Sequence, residues 1–305
     1  MSIVTVTLNP CIDKTVSVEQ ILPDCKLSCT NIRDYPGGGG INVARVISRL
    51  DVPVRAYWTC GGENGRRLQQ FLDDEQVPHE PIPIAESVRE NLIVLEDKSG
   101  NLFRFGMPGP LLRDSEQQLW LTQVSQVPAS VDYLVFSGSL PAGTSPEWYG
   151  DLLRAVPDGI RVIVDTKQEA LRHALEVGVY LIKPNVREME ELVGRNLSDH
   201  AALEQAAMEI IDRGGAEVVI LSLGRGGVLL ATADGFEQIS APPVHLRSKV
   251  GAGDAVVGGL VAALSWGKPL SQATRFGVAT GAAAVMTAGT ELCRKEDAEQ
   301  LFKNM

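Results

Sequence analysis

The sequence predicts an α/β protein: a mainly parallel central sheet flanked by helices, with a small β-sheet lid. Three observations lead there. Apolar runs of strand length alternate with helix-period stretches over most of the 305 residues. Glycine-rich turns follow several of those runs, and two segments break the alternation with short strands and no helix between them. Taken in order, Ile3–Leu8, Arg55–Cys60, Tyr133–Phe136, Val162–Val164, Val179–Ile182, Val218–Leu221 and Val228–Ala231 read as strands. Several are apolar throughout, as strands buried on both faces must be. Leu203, Ala206, Ala207, Ile210 and Ile211 share one helical face, and Gly214-Gly215 ends that helix. Asp114 followed by Gln117 reads as a capping arrangement that opens another. The interruptions are Asp13–Tyr35 and Val88–Gly106. In the second, Asn91–Leu95 and Leu102–Phe105 flank a Ser99-Gly100 turn, the pattern of a hairpin. The expectation is a single domain over residues 1–305, with the lid formed by about 13–35 and 88–106.

Composition excludes several functions. With 38 acidic against 28 basic residues the net charge is −10. A chain this acidic, without a basic stripe, is a poor nucleic-acid binder, so any positive charge serving a phosphorylated ligand must be local. The longest mostly apolar stretch, Ala255–Trp266, falls short of the ~20 residues of a membrane helix. Met1-Ser2-Ile3-Val4-Thr5 has no basic region followed by an apolar run, so no signal peptide is expected. Cys11, Cys25, Cys29, Cys60 and Cys293 are odd in number and form no Cys-x-x-Cys, which fits a reducing, cytoplasmic setting. The four histidines have no partner at zinc-ligand spacing.

Two glycine-rich stretches carry the chemistry. Pro36-Gly37-Gly38-Gly39-Gly40-Ile41-Asn42-Val43-Ala44-Arg45 places four glycines before a helical run, letting a ligand approach the main chain and the helix N-terminus. Val250-Gly251-Ala252-Gly253-Asp254-Ala255 is sharper. Its successive amides can form an anion pocket, and Asp254 in the first helical turn can accept a hydroxyl proton while the pocket holds a phosphoryl group. The plainer reading of Asp254 is a charge favourable to the helix dipole. No Gly-x-Gly-x-x-Gly follows the first strand, and there is no Gly-x-x-x-x-Gly-Lys-Ser/Thr loop, which argues against a dinucleotide oxidoreductase and a P-loop enzyme. Lys183-Pro184-Asn185 with Glu188, and Ser222-Leu223-Gly224-Arg225-Gly226-Gly227, follow predicted strands, where parallel sheets deliver ligand-binding loops. Each alone is ordinary turn chemistry; together they point to phosphoryl transfer.

With these motifs the chain resembles the PfkB carbohydrate kinases, whose fold is ribokinase-like. The resemblance runs from Thr7-Leu8-Asn9-Pro10 and Asp13 to Gly289-Thr290. Pro108-Gly109, Ser137-Gly138-Ser139-Leu140-Pro141 and Lys183-Pro184-Asn185 place it nearest the phosphofructokinase branch. The 1-phosphofructokinases and tagatose-6-phosphate kinases usually carry lysine where this chain has Gly39, so the sequence is most similar to the minor-type bacterial 6-phosphofructokinases. The resemblance implies ATP-dependent phosphorylation of a sugar phosphate, fructose 6-phosphate first, with fructose 1-phosphate and tagatose 6-phosphate as alternatives. A catalytically silent sugar-phosphate sensor is the rival from another class, and the intact Asp254 argues against it.

It further implies roles. Asp254 is the general base, and Gly251, Ala252 and Gly253 form the anion hole. Asp13, Gly38, Gly39 and Asn42 hold sugar hydroxyls. Arg89, Ser139 and Lys26 meet the sugar phosphate, and Arg104 lies near the transferring group. Lys183, Asn185, Ser222, Gly224, Gly227 and Ser248 line the ATP site. Glu188 organises Mg²⁺ through water. A K⁺ loop falls near Ser248–Val250 and Ala284–Thr290, although Val285-Met286-Thr287-Ala288 departs from the family pattern. A homodimer through the lids is also expected. Val16, Val18, Ile93, Leu95 and Phe103 give the small sheet more apolar surface than one domain can cover, and Lys26 could then reach the neighbour's sugar phosphate.

Overall fold

In the computed structural model, which describes residues 2–305, the chain folds into two sheets and ten α-helices among the described residues. β1 (Ser2–Thr7) opens the large sheet, and β2 (Cys11–Val18) and β3 (Thr30–Gly37) leave it for the small one. The chain returns through α1 (Gly39–Arg49), β4 (Val54–Cys60), α2 (Gly62–Asp74) and β5 (His79–Pro83). It leaves again as the hairpin β6 (Arg89–Glu96) and β7 (Leu102–Phe105). Regular alternation follows: α3 (Asp114–Ser125), β8 (Val131–Ser137), α4 (Pro146–Arg154), β9 (Arg161–Asp165), α5 (Gln168–Val177), β10 (Val179–Ile182), α6 (Val186–Val193), α7 (His200–Asp212) and β11 (Ala216–Ser222). The hairpin β12 (Val228–Thr232) and β13 (Gly235–Ile239) closes the sheet, and α8 (Ala252–Ser265), α9 (Leu270–Val285) and α10 (Lys295–Lys303) finish the chain.

The large sheet has the order β13-β12-β11-β10-β9-β8-β1-β4-β5. It is parallel from β11 to β5 and antiparallel only at the β12–β13 edge. Because side chains alternate along a strand, each central strand feeds two cores. Ile3, Tyr133 and Val135 pack with α1, α8 and α9 on one face. Val4, Val6, Leu134 and Phe136 pack with α3, α4, α5 and α7 on the other. All the parallel strands end on one edge, so the turns after β1, β8, β9, β10 and β11 lie in a row. The N-terminus of α8 is brought to that row by close packing on α1 and α9. A Cβ at Gly258 would lie 2.6 Å from Val46, and one at Gly259 would lie 2.3 Å from Thr280 Oγ1.

The small sheet has the order β3-β2-β6-β7. Parallel pairing of β2 with β6 joins the two interrupting segments, as the sequence predicts. Its base is bolted to α2, since Arg67 pairs with Asp34 and with Glu90 (3.3 Å), and Glu90 also pairs with Lys14 (2.7 Å).

Four details differ from the sequence reading. β5 was not expected, because its two prolines suit only an edge strand, which is what it is. β13 is likewise an unexpected edge strand. The α3 cap lies one residue earlier than Asp114: Glu116 accepts from Arg113 N (2.8 Å) and from Ala85 N (2.6 Å), tying the helix start to the preceding loop. Finally, Val16, Val18 and Ile93 are buried within the chain. The loop after β2 folds back so that Ile21 and Leu27 cover Val16, Val18 and Val94. Leu95 and Phe103 are exposed as expected, and Ile32, Leu102 and Phe105 join them in the apolar surface of the small sheet.

Candidate active site

A cleft of about 270 Å³ lies between the row of strand ends and the small sheet. Asp13, Arg89 and Arg104 line it from the small sheet, Gly38, Gly39 and Asn42 from the start of α1, and Ser139 from the loop after β8. Gly251 and Asp254 close it at the start of α8, and Glu188 reaches in from α6. Ten residues predicted from sequence, drawn from all parts of the chain, therefore share one cavity.

Asp254 lies in the first turn of α8, where the leading amides have no intrahelical acceptor. Gly251, the N-cap, has φ 78°, a left-handed conformation that glycine adopts without penalty. The Asp254 carboxylate accepts from Asn42 Nδ2 (2.8 Å). Burial, reinforced by the nearby Asp165 carboxylate, pushes Asp254 up to about 6 despite the Asn42 hydrogen bond and the Lys183 ammonium. A carboxylate with that affinity for a proton suits a general base near neutrality.

Lys183 follows β10, and its Nζ lies 3.2 Å from Asp165 at the end of β9. Burial alone would lower this ammonium, but Asp165 beside it holds it above the ordinary value. A Cβ placed on Gly253 would be 3.3 Å from Lys183 Nζ, so the cation abuts the first turn of α8. Asn185 caps α6: its side chain accepts from Glu188 N (3.0 Å), and Glu188 Oε2 accepts from Asn185 N (2.9 Å). Burial raises Glu188 against that last hydrogen bond.

On the small-sheet side, Asp13 Oδ1 accepts from Asn91 Nδ2 (3.0 Å) and from the Cys11 thiol (3.2 Å). Arg89 donates to Met107 O and Asn9 O (both 3.1 Å), while its buried Nε has no protein partner. Ser137 Oγ, also in the cleft wall, is buried and unpartnered too. Such atoms are satisfied by a ligand or by water. Gly39 admits no side chain, since a Cβ there would lie 2.3 Å from Ser137 Oγ and 2.8 Å from Gly138 N.

The remaining predicted residues are not in the lining of that cavity. Ala252 and Gly253 belong to the first turn of α8. Ser222 ends β11 and bridges to Asn185, donating its N–H to Pro184 O (2.9 Å). Gly224 starts the 3-10 turn Gly224–Gly226. Gly227 (φ 92°) must be glycine, because a Cβ would meet Ile239 O at 2.0 Å. Ser248 is buried, and its Oγ accepts from Val250 N (3.2 Å). Lys26 lies apart from this group. It is exposed and does not line the cleft of its own chain, because its loop is packed on the Val16–Val94 face. Asp13 and Asn91 occupy the opposite face of the same strands.

The family model described as pfkB family carbohydrate kinase matches residues 6–297. The chain belongs to the pfkB family. Its relatives include the ATP-dependent 6-phosphofructokinase isozyme 2 of Mycobacterium tuberculosis, 41% identical over 99% of this chain and 89% of the relative. The isozyme 2 of Escherichia coli K12 is 40% identical over 98% of this chain and 97% of that one. The 1-phosphofructokinase of Bacillus subtilis is 32% identical over 98% and 97%. Among solved structures, the phosphofructokinase-2 of Escherichia coli in complex with substrates and products gives a TM-score of 0.95 at 40% identity, covering 100% of this chain and 99% of that one. The same enzyme in complex with potassium gives 0.94 at 40% identity, covering 99% and 98%.

As a pfkB kinase the protein is a phosphotransferase acting on a sugar hydroxyl, and the ribokinase-like fold is confirmed. Sequence reading missed Asp165, Asn91, Cys11, Ser137, Gly138, Thr166 and Lys167 as cleft residues. Asp165 had a legible signal, a lone carboxylate directly after the buried run Val162–Val164. Asn91 had none, because only its pairing opposite Asp13 places it in the site.

Proposed function

We propose that the chain transfers the γ-phosphoryl group of ATP to fructose 6-phosphate, giving fructose 1,6-bisphosphate and ADP. One observation carries this reading: Asp254 and the open amides of α8 face Arg89 and Arg104 across a single cleft. The base takes the proton of the sugar hydroxyl as its oxygen bonds to the γ-phosphorus, and the bond to the ADP oxygen breaks. The amides and Lys183 neutralise charge on the transferring group, which is the main catalytic requirement of phosphoryl transfer. Arg89, on the small-sheet side of the cleft, suits the phosphate already carried by the sugar, and Arg104, lining the same cleft, adds positive charge near the transferring group. Asp13, Gly38, Gly39 and Asn42 surround the sugar hydroxyls, Ser139 joins Arg89 at the sugar phosphate, and Asn185, Ser222, Gly224, Gly227 and Ser248 flank the nucleotide. Gly39, closed to any side chain by Ser137 and Gly138, supports fructose 6-phosphate over the substrates of the lysine-bearing branch.

The donor set fits Mg²⁺ brought in with the nucleotide. Among the described residues no three His, Cys, Asp or Glu side chains could hold a metal by themselves. Asp165 and Glu188 face the cleft together, matching the one or two carboxylates Mg²⁺ takes when phosphates and waters supply the rest. Bound there, Mg²⁺ would neutralise phosphate charge. The two stretches of the expected K⁺ loop adjoin, since Arg247 N and Ser248 N both donate to Val285 O (2.8 and 3.2 Å). The buried, unpartnered Thr290 Oγ1 lies in the second stretch, and these features support K⁺ as a further ligand.

A homodimer through the small sheets covers the exposed Ile32, Leu95, Leu102, Phe103 and Phe105, and supplies Lys26 a site on the neighbour. Phe103→Asp should shift the sedimentation coefficient to that of a monomer; a monomeric wild-type chain with full activity refutes the dimer. The substrate is tested by kcat/KM for fructose 6-phosphate, fructose 1-phosphate and tagatose 6-phosphate with Mg-ATP. Preference for fructose 6-phosphate is expected. A strong preference for fructose 1-phosphate overturns the substrate and leaves the kinase standing.

A further inference from the structure

Arg45 lies on α1, one turn beyond Asn42, and is only 1% exposed. It does not line the cleft. Its Nε and Nη2 fork onto Glu75 just past the end of α2 (2.8 and 2.7 Å), and Arg49 holds the same carboxylate (3.3 Å). Its Nη1 turns inward to Pro36 O (3.1 Å), Thr290 O (3.1 Å) and Asn42 Oδ1 (3.2 Å). A guanidinium can only donate, so the Asn42 atom facing it must be the oxygen. The amide nitrogen is then turned to Asp254 Oδ2, 2.8 Å away. Without Arg45 the amide keeps only the hydrogen bond to Asp254 itself, and its N–H is no longer held at one position from the opposite end.

We infer that Arg45 is a positioning residue for phosphoryl transfer: it locks the Asn42 amide so that its N–H fixes one oxygen of Asp254 and leaves the other for the substrate hydroxyl. The same guanidinium ties that hydrogen bond to the root of the small sheet at Pro36 and to the loop at Thr290. The inference rests on Asp254 being the base. The charged groups facing Asp254 are Asp165 from β9, Lys183 after β10 and Asp13 from β2, and none of them contacts Arg45 by hydrogen bond or ion pair among the described residues.

The test is Arg45→Lys, which keeps the charge but cannot reach Glu75 and Asn42 together. Its kcat should fall about tenfold or more. The acid limb of its kcat/KM profile should move up by about half a pH unit or more, as the carboxylate loses its donor. In an Asn42→Ala background the same substitution should cost no further kcat. An unmoved acid limb, or an equal cost in both backgrounds, overturns the inference. Thermal melting and ATP binding establish that each variant is folded. If Arg45→Lys does not fold, Glu75→Gln loosens the clamp from its half-exposed end, and its acid limb should move the same way; an unmoved limb again overturns the role. Failure of the underlying reading has a different signature, namely retained turnover in Asp254→Asn.

Discussion

Replacing Asp254 by Asn separates the two roles this residue could play. The amide keeps the size of the carboxylate and can still accept from Asn42 Nδ2, but it cannot take a proton. Loss of a general base costs about 10²–10⁴-fold in rate, whereas loss of a helix-terminal charge costs only about 0.3–1 kcal/mol of stability. The fold supplies a second, opposite expectation. Burial and Asp165 push this carboxyl from the ordinary 3.8 up to about 6. The folded state therefore holds the proton more tightly than the unfolded chain, and stability falls as pH rises from about 4 to about 6, then stays level. At about 1.4 kcal/mol per pH unit the loss is at most roughly 3 kcal/mol, and less where the cleft admits water. Asp254→Asn removes this penalty. Its melting temperature should equal that of the wild type near pH 4 and exceed it at pH 7–8. The wild type's own kcat/KM should fall as pH drops through about 6, as the base becomes protonated. A coupled ADP-release assay and pH-dependent melting measure both. A variant that keeps most of its turnover refutes the base, and one that melts lower than the wild type at pH 8 refutes the electrostatic account.

Two further substitutions probe the walls of the cleft. Arg104 is exposed on β7 and has no ion-pair partner among the described residues. Arg104→Ala should lower kcat about 10–100-fold, the range for losing a hydrogen bond to a charged group, with an unchanged melting temperature; an unchanged kcat removes it from the site. Gly39→Ala drives a methyl group into Ser137 Oγ and Gly138 N. It should cost roughly 1–3 kcal/mol of stability together with kcat/KM, and a variant with wild-type melting and kinetics shows that the wall yields freely.

Much of this protein is written locally. The buried strands are apolar runs because both faces of a parallel strand must be covered, and the Ser99-Gly100 hairpin follows from turn chemistry. The Val250–Ala255 motif is legible because the left-handed N-cap at Gly251 favours glycine. These constraints act between neighbours in the chain, so the sequence determined them by itself. Other features depend on what packs against what. Residues of β5 became a strand only because β4 offered an edge, and Val16 and Val18 were covered only because a loop folded back over them. The same folding holds Lys26 away from its own chain's cleft. Most of all, Asn42 meets Asp254 across 212 residues of sequence, and Arg45 meets Thr290 across 245. No periodicity or spacing encodes those distances. The first follows from glycine-mediated packing of α1 against α8 and the second from the segment after α9 reaching α1, and so only the tertiary structure decided how the base is held.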